Sequence, residues 1–539
     1  MESVAQGIFC GKILNDFLYP YPKLEDEERQ TVEFLIDSFK KFAKENINPE
    51  KIDKEKTIPK EVIKGLGEMG ILGMTIPEEY GGYGFSTIQY CRVMEEMTRV
   101  CASTAILVGA HQSIGYKGIV IAGNEEQKKK YLPLLATGEK IAAFALTEPE
   151  AGSDASSVKT QAKYSPERKG YILNGTKQWI TNGGIADIVT TLAKTGEDIG
   201  LTAFIINTSS KGFSIGKEEK KLGLKGSSTA QLIYENLFVP EEDVLGRKGR
   251  GFLIFMQVLD SGRLGLAASC LGGCKEMIKN ATVFANNRKQ FGQKIGEFEM
   301  IRKKFAKMAS YTYGAESMAY FAAGFAGKIL KDYATESALC KFYITEILWD
   351  VINDALQVAG GNGYMEEYPF ERFLRDARIN LIFEGTNEVT RMYGAQTGLR
   401  AVSKFKDFPE KPDEMKWVLP ELKEEAEEIS KLVFKFGENN RKFLEKVGTD
   451  IRDHEYELER IANCASSLYA CLTTLSRTTE EAKIRKEGIL FAKTFLSFEI
   501  PKIKDILEGD FSKQDSLCTQ ISSEIYKREE YPFDRWQIK

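Results

Sequence analysis

The spacing of apolar residues changes twice along this chain, and those changes constrain the fold more than any other feature. From about Asp26 to Gly138 apolar side chains recur every three or four residues, as in Val32, Phe34, Leu35 and Phe39 and later Tyr131, Leu132 and Leu135. That is the period of helices with one buried face. Ile76-Pro77 and Gly81-Gly82 punctuate the region. Between Ile141 and Gly246 the period drops to two: Val158, Thr160, Ala162 and Tyr164 alternate with polar partners, and segments 187–193 and 201–206 are rich in β-branched residues. Asn174-Gly175 and Asn182-Gly183 are expected to make tight turns there. Helical spacing returns at Phe252, with one long segment reaching the Gly292 region and another running from Thr335 to the paired Gly360-Gly361, a natural stop. After about Lys404 the chain turns charged and then helical again through Ile503. The expected fold is therefore α+β and mostly α, in four units. These are an N-terminal helical domain (1–145), a central β domain (146–246), a C-terminal four-helix domain (247–403) and an appended helical domain (404–539).

Charge and composition narrow the functions this fold can carry. Lys and Arg number 74 against 78 Asp and Glu, a formal charge of −4, so no global basic field recommends nucleic acid as a partner. No stretch approaches the roughly 18 to 20 apolar residues that span a bilayer. The N-terminal segment has no basic region ahead of an apolar core and carries Asp16, unlike a secretory or Arg-rich transit peptide. The expected location is cytoplasmic, or the mitochondrial matrix if the chain is a processed form. Nine cysteines show no CxxC pair and no metal spacing, which points to a reducing compartment and to no bound metal. His111 and His454 are the only histidines. Acid–base chemistry then falls to Asp, Glu, Lys or Tyr.

No GxxxxGK[ST] occurs, and no GxGxxG stands between a strand and a helix, so neither usual phosphate cradle is present. The segment from Phe144 to Asp154 follows a short strand and combines hydroxyls, a glycine and free backbone N–H groups. It suits close approach to a pyrophosphate, or it is an ordinary Pro/Gly loop. Trp179 and Thr181 stand two apart on a strand, where an indole can cover a flat ring while a hydroxyl meets a ring nitrogen, or where the Trp simply closes a sheet edge. Arg288 could offer a guanidinium to a phosphate or compensate a helix dipole. Glu384 follows the apolar run Leu381-Ile382-Phe383 and precedes Gly385, with Thr386 placed to cap the next helix. A carboxylate desolvated by those neighbours has a raised pKa and suits proton abstraction; the alternative is a helix-start acid that favours the dipole.

Taken together these segments resemble the acyl-CoA dehydrogenase family. TEPEAGSD (147–154), KQWITNGG (177–184), RKQFG (288–292), QVAGGNGY (357–364) and FEGTNE (383–388) fall in the family's order at family-like spacing. Residues 110–115, the TyrProTyrPro run at 19–22 and the long C-terminal segment are similar to its very-long-chain branch. The resemblance implies flavin adenine dinucleotide (FAD) held between the β domain and the C-terminal helices. It assigns Phe144, Leu146, Thr147, Gly152 and Ser153 to the flavin and its pyrophosphate, and Trp179, Ile180 and Thr181 to the ring. Arg288, Phe291, Gln357 and Gly361 would take the adenine-nucleotide half, partly across a homodimer interface, with Thr386, Asn387 and Glu388 completing the site.

For the acyl-CoA substrate the resemblance implies Ser153, Phe383 and Gly385, with Asp260, Ser261, Gly262 and Arg263 opening a helix that faces the CoA moiety. Glu384 would be the catalytic base for α,β-dehydrogenation of a long-chain acyl-CoA to the trans-2-enoyl-CoA in fatty acid β-oxidation. Electrons would pass to an electron-transfer flavoprotein. Some relatives place the base in the segment matching 260–263, but the residues immediately before Arg263 are Ser261 and Gly262, neither of them a carboxylate, so Glu384 has no obvious rival. The very-long-chain branch attaches to membranes through an apolar, basic stretch, whereas 401–422 here is short and mixed in charge, which argues against peripheral membrane contact. Small residues at Gly109 and Ala110 point to a long acyl tunnel. The competing readings are an acyl-CoA oxidase that uses oxygen and a weakly active assembly or adaptor protein. The motif set predicts a yellow protein with near-stoichiometric, non-covalent flavin. A colourless chain that takes up no flavin on reconstitution contradicts that expectation.

Overall fold

The computed structural model describes residues 3–196, 199–448 and 450–533. Eight strands form one sheet: β1 (Ala142–Ala145), β2 (Gln161–Ser165), β3 (Gly170–Thr181), β4 (Ile188–Lys194), β5 (Leu201–Asn207), β6 (Phe213–Glu218), β7 (Thr229–Pro240) and β8 (Val244–Leu245). Their order is β6-β7-β3-β2-β4-β5-β8, with β1 lying parallel beside β4 in the register Ala142↔Ile188 to Ala145↔Thr191. β4 is buried along six of its seven residues because both faces are covered. On one side Ile188 and Leu192 meet Leu132, Ile254 and Phe255 from flanking helices. On the other, Val189 and Ala193 meet Tyr171, Phe204 and Tyr234 from the sheet itself. Full burial of each such aliphatic side chain contributes about 1.5–3 kcal/mol.

The sheet starts at Ala142, four residues ahead of the expected boundary at 146, because β1 runs directly out of the N-terminal helices. Asn182-Gly183 makes the expected turn. Asn174-Gly175 does not: it lies inside β3, at a register shift against β7 between Leu173 and Gly175.

Helices Gly251–Asn287, Glu299–Phe325, Ala334–Ala359 and Asn387–Lys404 form the bundle after the sheet. The second of the two expected stops is met at Ala359, with Gly360 at φ 58°. Asp260 to Arg263 lie across the third and fourth turns of the 37-residue helix Gly251–Asn287 rather than opening it, because the apolar stripe continues through Val258, Leu264 and Leu266. Residues 102–122 form a continuous helical stretch with mean hydropathy 1.2, long and apolar enough to cross a membrane, which corrects the expectation that no such stretch exists. Two thirds of it is buried inside the protein, where it packs against β1 and the Gly251–Asn287 helix.

The appended segment packs helices Lys423–Val447, Glu455–Glu481 and Glu487–Glu508 against the bundle. The first described helix, Val4–Phe9, belongs to this packing and not to the N-terminal domain: the Phe9 ring packs at a tilt against Phe436 with centroids 5.5 Å apart, and Asn440 donates to the Phe9 carbonyl at 3.0 Å. A buried charge network fastens the units together. Glu316 accepts from Arg477 of the appended segment at 2.8 Å, from Lys275 at 2.6 Å and from Arg92 at 3.3 Å, while Lys275 also pairs with Glu95. Burial pushes the Glu316 carboxyl up, but Arg477, Lys275 and Arg92 outweigh it and hold it well below the usual carboxylate range.

Without Arg477, Glu316 keeps Lys275 and Arg92 but loses its most buried partner. Arg477→Met is therefore expected to lower the free energy of unfolding by about 1.5–3 kcal/mol, the worth of a hydrogen bond to a charged group, in a denaturant titration. Because the folded pKa of Glu316 is depressed, its stabilisation is present above the unfolded value of about 4.3 and is lost as pH falls below it. The variant's deficit should accordingly shrink in acid.

Candidate active site

The segment between the helix at Phe370–Ala377 and the helix at Asn387–Lys404 turns back on itself through two left-handed residues, Glu384 at φ 59° and Gly385 at φ 89°. Glycine adopts that conformation freely, whereas glutamate pays about 1–2 kcal/mol for it. Three groups hold the turn. The Thr386 side chain accepts from the Val389 amide at 3.3 Å and caps the following helix, as its position in the sequence implied. Arg263 Nε donates to the Glu384 carbonyl at 3.2 Å, and Lys341 Nζ donates to the Gly385 carbonyl at 2.6 Å and to Asn387 Oδ1 at 2.7 Å.

Glu384 as a residue is half-buried, yet its Oε2 is sealed from solvent and has no hydrogen-bond partner among the described residues. Burial pushes its pKa up to about 7, against the opposing pull of Arg263 and Lys341. Of the preceding apolar run, Phe383 lines the same cavity, whereas Ile382 is 46% exposed. Elements distant in sequence also wall in the carboxylate. A Cβ at Gly262 would stand 3.0 Å from Glu384 Oε2, so the lack of a side chain there makes room for the carboxylate. One turn away, Asp260 pairs with Arg263 at 2.8 Å and accepts from Ser337 at 3.2 Å; burial raises its pKa to about 6, with Arg263 opposing.

The other wall is built by the sheet. Lys177 is fully buried and donates to the Leu146 carbonyl at 3.0 Å and to Glu148 at 2.8 Å, while Glu148 also accepts from the Lys159 amide at 2.6 Å and the Thr160 amide at 3.1 Å. The Gln178 amide donates to the Thr147 carbonyl at 2.8 Å. These bonds pin loop 146–148 to β3, and β3 then bulges: its register against β7 shifts between Lys177 and Ile180, with Trp179 at φ 56° and 60% exposed. Trp179 and Thr181 therefore reach the same cavity through a bulge and not through the regular pleat. Bulges commonly re-aim side chains beside active sites.

A cavity of about 240 Å³ lies between these walls. It brings together Phe144, Leu146, Thr147, Gly152, Ser153, Trp179, Ile180 and Thr181 from the sheet side with Gly262, Arg263, Phe383, Glu384 and Gly385 from the bundle. Asp260, Ser261, Thr386, Asn387 and Glu388 stand outside its lining; Asn387 is buried against Phe342, Thr345 and Glu346 as a bracket for the loop. Arg288, Phe291, Gln357 and Gly361 are exposed and remote from it, with Phe291 94% exposed. Along one straight helix, 26 residues from Gly262 to Arg288 amount to about 39 Å. The helices Gly251–Asn287 and Ala334–Ala359 run in the same direction, with Ser337 beside Asp260 and Leu348 beside Gly273, so Arg288 and Gln357 lie at one end of the bundle.

The cavity suits a flat, phosphate-bearing ring system: an exposed indole, the hydroxyls of Thr147, Ser153 and Thr181, and open space around Gly152, where a Cβ would meet nothing. Comparison with known proteins agrees. Family models for the N-terminal, middle and C-terminal domains of acyl-CoA dehydrogenases match residues 29–139, 143–237 and 249–399, and the ACAD9/ACADV C-terminal domain matches 420–531. The chain belongs to the acyl-CoA dehydrogenase family. It is 37% identical over 518 residues to the human mitochondrial very long-chain specific acyl-CoA dehydrogenase, covering 89% of this chain and 79% of that protein. An acyl-CoA dehydrogenase from Bacillus subtilis is 42% identical over 356 residues, 65% of this chain and 93% of its own length. Among solved structures, the Bacillus anthracis acyl-CoA dehydrogenase complexed with FAD superposes with a TM-score of 0.84 at 32% identity, over 98% of this chain and 96% of that one. As a member of this family the chain is an FAD-dependent oxidoreductase.

Three residues in this acyl-CoA dehydrogenase escaped the sequence reading. Lys341 stands alone in the apolar run Ala338-Leu339-Cys340-Lys341-Phe342, and that lone charge on a buried helix face was the available signal. Lys177 and Glu148 both lie in recognised motifs, but only the fold reveals them as a pair. His111 makes no contact with the cavity; its Nδ1 accepts from the Ala142 amide at 2.9 Å and burial lowers its pKa to about 4.

Glu384→Gln keeps the loop and removes only the basic carboxylate. Flavin content and folding should survive, while flavin bleaching by palmitoyl-CoA should slow by about 100- to 10,000-fold in stopped flow. In the unmutated protein the bleaching rate should rise as pH climbs through about 7, because Glu384 must be ionised to accept a proton. A mutant that bleaches at the unmutated rate with normal flavin content removes Glu384 from this role.

Proposed function

We infer that this protein oxidises long-chain acyl-CoA thioesters to trans-2-enoyl-CoA and passes the electrons to an electron-transfer flavoprotein, with Glu384 as the base. The observation that carries the reading is a carboxylate with one oxygen sealed from water and without a hydrogen-bond partner among the described residues, in a cavity whose opposite side offers Trp179, Thr147, Ser153 and Thr181 to a flavin. Glu384 takes the α proton of the thioester, and bound FAD supplies the acceptor for the β hydrogen and its electron pair. The bond between the two carbons becomes double and both hydrogens are accounted for. The Glu384 amide, which donates to no backbone carbonyl among the described residues, is available to the thioester oxygen as negative charge develops there. Arg263, anchored to Asp260, keeps the loop from swinging away.

A long acyl tail fits the apolar side of the cavity, which the small residues Gly109 and Ala110 line. A second apolar compartment of about 40 Å³ lies beyond it and shares Ile106, Leu266 and Ser269 as its wall. Because Arg288 stands about 39 Å from Gly262 along its helix, it serves the flavin of a second copy, so the protein works as a homodimer. The exposed apolar groups Phe291, Met300, Tyr364 and Met365 support that face as the contact between copies. Eight buried free cysteines fit a reducing compartment.

Anaerobic palmitoyl-CoA should bleach the flavin, and an electron-transfer flavoprotein should restore it far faster than oxygen does. Reoxidation by oxygen at the flavoprotein-supported rate would place the chain among oxidases. Sedimentation should show a dimer, and Arg288→Ala should weaken flavin retention despite its distance from the cavity; unchanged retention would contradict the shared site.

A further inference from the structure

Lys341 is a cation near the base that makes no direct ion pair with a carboxylate among the described residues. Its Nζ sits inside the bundle and its two hydrogen-bond partners, the Gly385 carbonyl and Asn387 Oδ1, are both neutral. Arg263, the other nearby cation, is already paired with Asp260 at 2.8 Å. Taking an ammonium out of water without a counter-charge is costly, so a carboxylate within Coulomb range is strongly favoured in its ionised form. Across the Gly385 peptide that carboxylate is Glu384. The same ammonium also grips the carbonyl of one of the two left-handed residues that aim the base.

We propose that Lys341 is a positioning residue for Glu384: it clamps the left-handed turn through the Gly385 carbonyl and supplies the positive charge that keeps the base ionised once substrate has excluded water. This rests on the role given to Glu384 above. Other groups facing the pair come from three further helices. Gly251–Asn287 contributes Arg263, its partner Asp260, and Cys270; Thr87–Val100 contributes Tyr90; and Asn387–Lys404 contributes Glu388. Of these Glu388 is exposed, while Tyr90 and Cys270 are buried and hold their protons. Burial and Arg263 together lower Lys341 to about 7, and Glu384, Cys270 and Glu388 oppose them, so Lys341 and Glu384 titrate as one unit.

The sign follows directly. A neighbouring cation lowers the pKa of a carboxylate, and removing it raises that pKa. Flavin-loaded Lys341→Met and Lys341→Gln should move the acid limb of the pH profile for palmitoyl-CoA bleaching upward by about one unit, a roughly ten-fold lower rate below the limb. Lys341→Arg, which restores the charge, should stay near the unmutated limb. Lys341→Gln keeps a donor toward Gly385 and decides the question if the methionine variant does not fold. An unmoved limb in Lys341→Gln, or a drop equal at every pH, overturns the proposal, since a purely structural role predicts one of those results. A substrate-free measurement separates this from the functional reading. The protonated-carboxyl infrared band that is present in the unmutated holoenzyme and absent from Glu384→Gln should persist to higher pH in Lys341→Gln. If palmitoyl-CoA fails to bleach any variant but that band shifts, the functional reading falls and the clamp stands; a band that does not shift overturns the clamp.

Discussion

Glu384 carries its carboxylate on a left-handed backbone with one oxygen sealed from solvent and unpaired, and two costs follow. The backbone conformation costs about 1–2 kcal/mol and the unsatisfied buried oxygen about 1–3 kcal/mol. Such strain persists only where surrounding structure over-determines it. Here the surroundings are the hydrogen bonds from Arg263 and Lys341 to consecutive carbonyls, the Thr386 cap and the empty space at Gly262. The result is a base whose pKa is raised to about 7, which strengthens it toward a weakly acidic carbon while leaving a substantial ionised fraction at neutral pH.

Everything larger serves to hold those groups still. Arg263 and Gly262 ride on a helix of 37 residues and Lys341 on one of 26, and the two pack lengthwise, so neither cation can move without the bundle. The facing wall is fixed by a different device, the fully buried Lys177–Glu148 pair, which locks loop 146–148 onto a bulged strand. The Glu316 network then ties the N-terminal helices, the bundle and the appended segment into one body. Of the three cations around that carboxylate Arg477 is buried, while Lys275 and Arg92 reach it from partly exposed positions.

The two changes of apolar period placed the sheet and the bundle close to where they lie, because burial on one face imposes period 3.6 on helices and period 2 on strands. Boundaries drifted where the chain passes directly from helix to strand, as at β1, and where one segment serves a remote unit, as Val4–Phe9 does against Phe436. Glycine pairs were legible when they ended helices, as Gly360 does, and misleading within strands: Asn174-Gly175 has the composition of a turn but marks a bulge. The cavity side of the site was legible as motifs, from Phe144 to Ser153, Trp179 to Thr181 and Glu384 itself.

What the sequence determined by itself was the inventory: a chain with only two histidines, one carboxylate set beside glycine in a loop, and flavin-type motifs in order. What it could not determine was the environment of that carboxylate. Its own apolar neighbours were the visible candidates for desolvating it, yet of these only Phe383 lines the cavity and Ile382 is largely exposed. The groups that bury and charge Glu384 are Gly262, Arg263 and Lys341, which come from helices some 40 to 120 residues away in sequence. Local spacing encodes which face of an element is buried, but desolvation and Coulomb energy depend on distance in space. Only the packing of the helices brings those groups within range of the base.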